Sequence, residues 1–116
     1  MNLTGQSVYK KGQRLKKKPN RPTAAQKRRW DKIAAMGCII GNSECRGAPT
    51  IHHCGTQMGC RKDHDKTVCL CERHHTGDLG VDGKKVSFPE WERRYGTEQE
   101  LLEETERRLA HGREAV

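Results

Sequence analysis

Two histidine doublets carry most of the chemistry this chain could do. His52 and His53 lie in TIHHCG, and His74 and His75 lie in CLCERHHTG. The whole chain has six histidines and six cysteines. Imidazole nitrogen and thiolate sulfur are the ligands zinc prefers. Imidazole also exchanges a proton near neutral pH, with an unperturbed pKa of about 6.5. Metal binding and proton transfer are therefore the two chemistries to consider.

Cys38 and Cys45 form one ligand pair, separated by a wider gap than most zinc pairs show. Cys71 and His74 form a second, with the familiar two-residue gap. Zinc takes four such ligands in a tetrahedron at about 2.0–2.3 Å. The pattern predicts a structural zinc held by Cys38, Cys45, Cys71 and His74. Cys69 alternates with Cys71 on a β-prone stretch and faces the same side, so it could replace one ligand. Cys54 and Cys60 could pair with each other, bind a second zinc, or be small buried hydrophobes. Neighbours on a strand point to opposite faces, so one of His52 and His53 can bind a metal while the other reaches elsewhere. His75 must likewise point away from His74. If His74 faces the zinc, His75 is delivered elsewhere, toward a working site shared with the first doublet. A wholly structural alternative closes a second tetrahedron from His52, His53, His64 and His75. His111 reads as a solvent-facing helix-end residue.

Several elements must position these groups. Thr23 and Gln26 form a capping-box signature ahead of Trp30, Ile33 and Ala34 at helical spacing, and Gly37 can close that helix. A helix over 24–36 follows. APTIHH and KTVCLC read as short strands, and ERHHTGDLG can start a short helix. Ser87, Pro89, Glu90 and Gly96 bracket another helix, and Thr97 with Glu100 opens a last one. Its Leu101, Leu102, Thr105 and Leu109 line one face. These two helices are expected to pack on the metal-bearing hairpin.

Hydrophobic residues make up 32% of the chain and aromatics 4%. So small an apolar share calls for a staple at this length. No apolar leader opens the sequence and no run approaches the roughly 18 residues of a membrane span. A cytoplasmic protein with reduced thiols is expected, so metal is preferred over disulfides. The net charge is +8, unevenly spread. Residues 1–29 hold ten Lys or Arg and no acid, whereas the remainder holds thirteen basic and fifteen acidic side chains. A basic arm on a nearly neutral body suits phosphate binding. Its candidates are Lys10, Lys11, Arg14, Lys16, Lys17, Lys18, Arg21, Lys27, Arg28 and Arg29. The expected layout is a disordered basic tail (1–22), one domain (23–112) and a short tail (113–116). Five aromatics give few stacking platforms for single-stranded RNA.

The order of motifs resembles the HNH, or ββα-metal, nuclease superfamily: a cysteine pair, then IHH, then LCERHH. With DHDKT between the doublets and FPEWERRYGT downstream, the chain is more narrowly similar to phage recombination-enhancement nucleases of the Ref type. Those cut DNA held in a RecA filament. The resemblance implies a small α+β fold, with a zinc-stabilised hairpin-helix core and flanking helices. It implies a monomeric DNA endonuclease working in the bacterial host of a phage or prophage and leaving 3′-hydroxyl and 5′-phosphate ends. By the same resemblance His52 and His75 are ligands of a catalytic Mg²⁺ or Mn²⁺, and His53 is the general base. The family's base-orienting Asn is missing, so His64, Asp65 or Asp63 must serve. The alternative is a non-enzymatic zinc-binding adaptor for DNA or a recombinase. One tight zinc with one exchangeable ion favours the enzyme, and two chelator-resistant zincs favour the adaptor.

Overall fold

The computed structural model describes residues 20–55 and 62–114. Lys10, Lys11, Arg14, Lys16, Lys17, Lys18 and Cys60 lie outside the described residues. Helix α1 runs Ala24–Met36. Its start is set locally: the Thr23 hydroxyl accepts from Gln26 N at 3.1 Å, and Gln26 Oε1 accepts from Thr23 N at 2.8 Å. Two otherwise orphaned amide donors are thereby satisfied. Gly37, at φ 83°, closes the helix and turns the chain toward Cys38.

Strands β1 (Pro49–His53) and β2 (Thr67–Cys71) pair antiparallel, with Ile51 opposite Cys69 and His53 opposite Thr67. All five residues of β2 are buried, so it is the central element. It runs without a linker into α2 (Glu72–His75), with Cys71 as the N-cap residue. The loop that carries Cys45 is clamped onto this junction. Glu72 N donates to Ala48 O at 3.1 Å, and the Glu72 carboxylate accepts from Ala48 N at 3.0 Å. The closeness requires glycine at 47. Its φ is +86°, and a Cβ there would sit 2.8 Å from the Glu72 Cβ.

Helices α3 (Phe88–Tyr95) and α4 (Glu98–Glu114) complete the described chain. Thr97 and Glu100 form both halves of the box at α4, at 2.8 and 3.1 Å. At α3 only the forward half forms, Glu90 N to Ser87 Oγ at 3.3 Å. The Glu90 carboxylate is drawn instead to Arg93 and Arg94 one turn on. The architecture is thus a small α+β arrangement of a two-stranded sheet and helices.

The core is correspondingly small: Ile39, Val68, Leu70, Val81, Trp91 and Leu101. Trp91 is fully buried, and its indole N–H donates to Leu79 O at 2.9 Å. On α4, Leu101 and Thr105 are buried, and the Thr105 hydroxyl donates to Leu101 O at 2.8 Å. Helix α1 is tied to the sheet by polar contacts as well as by Ile33. The Arg29 guanidinium donates to Thr67 O at 2.8 Å and pairs with Glu106 at 2.8 Å. Arg29 is therefore turned inward and does not extend the exposed basic face of Arg21, Lys27 and Arg28. Its expected place on a phosphate-binding track is corrected accordingly: the β2 carbonyl and the α4 carboxylate compete successfully for it. Among the described residues no helix is long and apolar enough to cross a membrane.

With so few large core residues, each one counts. Trp91→Ala is expected to destabilise the metal-loaded protein by about 3–5 kcal/mol, measured by urea unfolding. A loss near zero would mean that Trp91 is not a keystone of the fold.

Candidate functional site

Cys38, Cys45, Cys71 and His74 converge, with their ligand atoms all within 4.8 Å of one another. The sulfurs of Cys38, Cys45 and Cys71 lie 3.8, 3.7 and 3.1 Å from His74 Nδ1. A tetrahedral ion with sulfur and nitrogen ligands at 2.0–2.3 Å has edges of about 3.3–3.8 Å. Two of the three edges fall in that range and the Cys71–His74 edge is slightly shorter, so the cage is close to the size of a metal site. All five described cysteines are free thiols. Each ligand has a local reason for its place. Cys38 follows the Gly37 helix stop. Cys45 closes a turn in which its own N–H donates to Asn42 O at 3.2 Å. Cys71 and His74 span the first turn of α2.

Electrostatics agree with a cation in this cage. Burial pushes the Cys38 thiol up to about 11. Burial also raises Cys71, but the His74 and Arg46 amides and the neighbouring thiols outweigh it, and the net shift is downward. Thiols this close cannot all ionise without a positive charge among them. Burial lowers the pKa of His74, which keeps its ring neutral and able to donate a lone pair. Cys69 stays outside the cage: it is buried in β2, and burial pushes its thiol up to about 11.

The adjacent residue, His75, points the other way. Its ring lies 5.1 Å from that of His52, edge to face. His52, His75 and Asp82 form a second group of potential metal ligands. Hydrogen bonds fix which ring nitrogens carry protons. The Thr50 hydroxyl donates its one proton to Leu70 O at 2.7 Å. Its contact with His75 Nδ1 at 2.8 Å therefore needs an N–H from His75. His75 Nε2, on the other side of the ring, faces Asp82 Oδ2 at 3.1 Å. In the same way Glu98 Oε2, 2.6 Å from His52 Nε2, accepts from it, and His52 Nδ1 faces Asp82 Oδ2 at 3.4 Å. Burial, followed by the neighbouring His52, lowers the pKa of His75, so the ring stays neutral.

His53 belongs to a different chain of contacts. His64 Nε2 lies 2.8 Å from Asn20 O, a pure acceptor, so it carries the proton. His64 Nδ1 then accepts from His53 Nε2 at 2.9 Å, and His53 Nδ1 is left with the lone pair. Trp30 packs edge-on against both rings, and its indole donates to His64 O at 3.0 Å. Burial, then the nearby His64, lowers the pKa of His53. Among the described residues His53 and His64 join no metal-ligand group with His52 and His75. Asp65 is not at His53. It accepts from Gln26 at 3.2 Å, and the Asp63 carboxylate accepts from Asp65 N at 2.9 Å. Of the three candidates His64 is the one in hydrogen-bond contact with His53, while Asp63 and Asp65 make contacts within the turn and to Gln26.

His52, His53 and His75 open on one cavity of about 400 Å³, lined also by Ile51, Gly55, Lys62 and Asp82. A larger hollow of about 630 Å³ lies between the Cys45 loop and α3, lined by Ile39, Ile40, Tyr95 and Leu101 among others. It contains no metal-ligand group among the described residues, whereas the smaller cavity is lined by His52, His75 and Asp82. Asp82, Glu98, Thr50 and Lys62 were not foreseen from the sequence. Only Asp82, in a segment with glycines at 77, 80 and 83, had a local signal of close packing.

The fold and site define a small α+β protein with a thiol–imidazole cage of a size to hold a metal ion and a histidine pocket beside it. The family model described as "Recombination enhancement, RecA-dependent nuclease" matches residues 22–110, and the chain belongs to that family. No curated protein and no solved structure matches it.

A structural zinc contributes about 10–16 kcal/mol in small metal-stabilised peptides, as much as the whole stability of an ordinary domain, about 5–15 kcal/mol. Cys71→Ser should therefore lose the tightly held metal and the cooperative thermal transition together. Metal analysis and circular dichroism would check this. Parent-like melting without metal would show that the cage does not hold the fold.

Proposed function

We propose that the protein is a metal-dependent DNA endonuclease of HNH type, acting in recombination on DNA bound by a RecA filament. The observation that carries this reading is the convergence of imidazoles from both doublets on one open cavity. The strand–strand–helix order, with one doublet on β1 and the other on α2, supports the ββα-metal assignment. In this reading residues 23–112 are the nuclease domain, and zinc fills the cage of Cys38, Cys45, Cys71 and His74. The three-thiol, one-imidazole donor set is the one zinc takes.

His52 and His75 would hold the working divalent ion, Mg²⁺ or Mn²⁺. When bound, such an ion polarises the phosphoryl oxygen and offsets charge on the leaving oxygen. The remaining work falls to side chains. His53 Nδ1 takes a proton from the attacking water, since its other nitrogen is committed to His64. His64 is the orienting residue: its own Nε2–H is fixed by Asn20 O, so its Nδ1 can only accept. Lys62, exposed at the rim of the cavity, offers a cation to the scissile phosphate. Arg21, Lys27 and Arg28 present charge to the flanking backbone, and the basic residues before them in the sequence are assigned the same task.

Two substitutions test the division of labour, read as plasmid nicking with Mg²⁺ or Mn²⁺ and a RecA filament. His53→Ala should cut about 10²–10⁴-fold more slowly while retaining its zinc and its melting transition. Parent-like cutting by this variant would defeat the mechanism. His64→Ala should also lose activity, because the His53 ring loses its acceptor. His64→Asn should recover most of it. The Asn Oδ1 occupies the place of His Nδ1 and can only accept, which is the role the contact demands. Equal losses in the two variants would show that orientation by an acceptor is not what His64 supplies.

A further inference from the structure

We infer that Asp82 is the third protein ligand of the metal that, in the reading above, His52 and His75 hold. The inference rests on that reading. It begins from a convergence of three ligand groups. Asp82 Oδ2 lies 3.1 Å from His75 Nε2 and 3.4 Å from His52 Nδ1. These are the ring nitrogens opposite those that meet Thr50 and Glu98. One divalent ion among the three groups would take both nitrogens and the carboxylate oxygen at once. Ligand atoms about 2.0–2.2 Å from one ion stand about 2.9–3.6 Å apart, whether the geometry is octahedral or tetrahedral. Both distances to Asp82 fall in that window.

A second carboxylate competes for the role. His52, Cys54 and Glu98 also form a possible ligand group. The contact of Glu98 with His52 Nε2, at 2.6 Å, is shorter than an ion between them would allow, and it is a good hydrogen bond. The other Glu98 oxygen accepts from Gly55 N at 3.0 Å. Glu98 is therefore a positioning residue that orients the His52 ring, as carboxylates behind metal-bound histidines do. Asp82 has no such second partner in the protein among the described residues.

The backbone delivers Asp82 to this place. After α2 the chain doubles back, with Val81 N donating to His74 O at 3.0 Å and Asp82 N to His75 O at 2.8 Å. Gly80 makes the fold-back possible: a Cβ there would lie 2.5 Å from the His75 carbonyl oxygen. The loop is thus locked to the two histidines it serves. A carboxylate also changes what the site accepts. Two imidazoles alone favour transition ions, whereas Mg²⁺ is bound through oxygen.

The test is a Mn²⁺ titration of the zinc-loaded protein followed by electron paramagnetic resonance, with no DNA and no turnover. The parent should bind one Mn²⁺ per chain. Asp82→Asn should weaken this by more than about 100-fold, the upper range seen for outer-shell partners, and Glu98→Gln by less. The Asp82 side chain is 53% exposed, so the variant should keep its zinc and its melting transition, which are measured alongside. Parent-like Mn²⁺ affinity in Asp82→Asn, with loss in His52→Ala, would overturn the inference and leave the two-histidine site standing. A larger loss in Glu98→Gln than in Asp82→Asn would overturn it in favour of Glu98. If His52→Ala binds Mn²⁺ like the parent, the underlying site is wrong and the inference falls with it.

Discussion

A single peptide unit, between His74 and His75, joins the two halves of this molecule. Successive residues on a helix point about 100° apart. On a four-residue helix anchored at Cys71, that angle sends one imidazole into the thiol cage and the next into the open cavity. The cage therefore does more than offset a small core. It fixes the axis and rotation of α2, and so it fixes where the His75 ring can go. Through Glu72 the same helix holds Ala48 of the Cys45 loop, and it receives Val81 and Asp82 from the loop after it. Loss of the cage would unhinge all of these at once.

A second regularity concerns protons. Each imidazole that opens on the cavity has one nitrogen committed to a neighbour whose hydrogen-bonding role is fixed. Thr50 is fixed by Leu70 O, His64 by Asn20 O, and Glu98 by its charge. Neutral imidazole has two tautomers, and in water they interchange freely. Here the surrounding acceptors remove the choice before any ligand arrives. Such preorganisation means that little reordering is needed when charge develops in the cavity. The burial that lowers the pKa of His53 and His75 acts in the same direction, by keeping the rings neutral.

What could be read from the sequence was what is local. Thr23 with Gln26, and Thr97 with Glu100, each satisfy amides three residues away, so α1 and α4 were legible at their starts. The divergence of His74 from His75 was legible too, because it follows from helix geometry alone; that His52 and His53 both line one cavity was not. The choice of His64 over Asp63 and Asp65 was not. It depends on Asn20, 44 residues away, and on Trp30. Glu98 reaches His52 across 46 residues, and nothing in TEQELLEE distinguishes it from its acidic neighbours. Arg29 shows the converse error. It sits in a basic run and was grouped with its neighbours by charge, yet helix rotation turns it toward Thr67 and Glu106. Composition reports which charges a segment carries, but not which of them the core will claim.

This division has a consequence for interpreting variants. The cage residues are buried or half-buried, and their loss is felt through folding, so inactivity there carries no information about chemistry. The cavity residues differ among themselves. His52 is buried and braced by Glu98, and its loss perturbs both the site and the α4 start. Asp82 and Lys62 are exposed, and their side chains make few contacts that the fold needs. His53 is intermediate, packed against Trp30 on one side and open on the other. A graded response is therefore built into the architecture. Metal affinity, turnover and stability should separate most cleanly at the exposed rim and merge toward β2, where one buried strand serves the core, supplies Cys71 to the cage and pairs with the strand that carries His52 and His53.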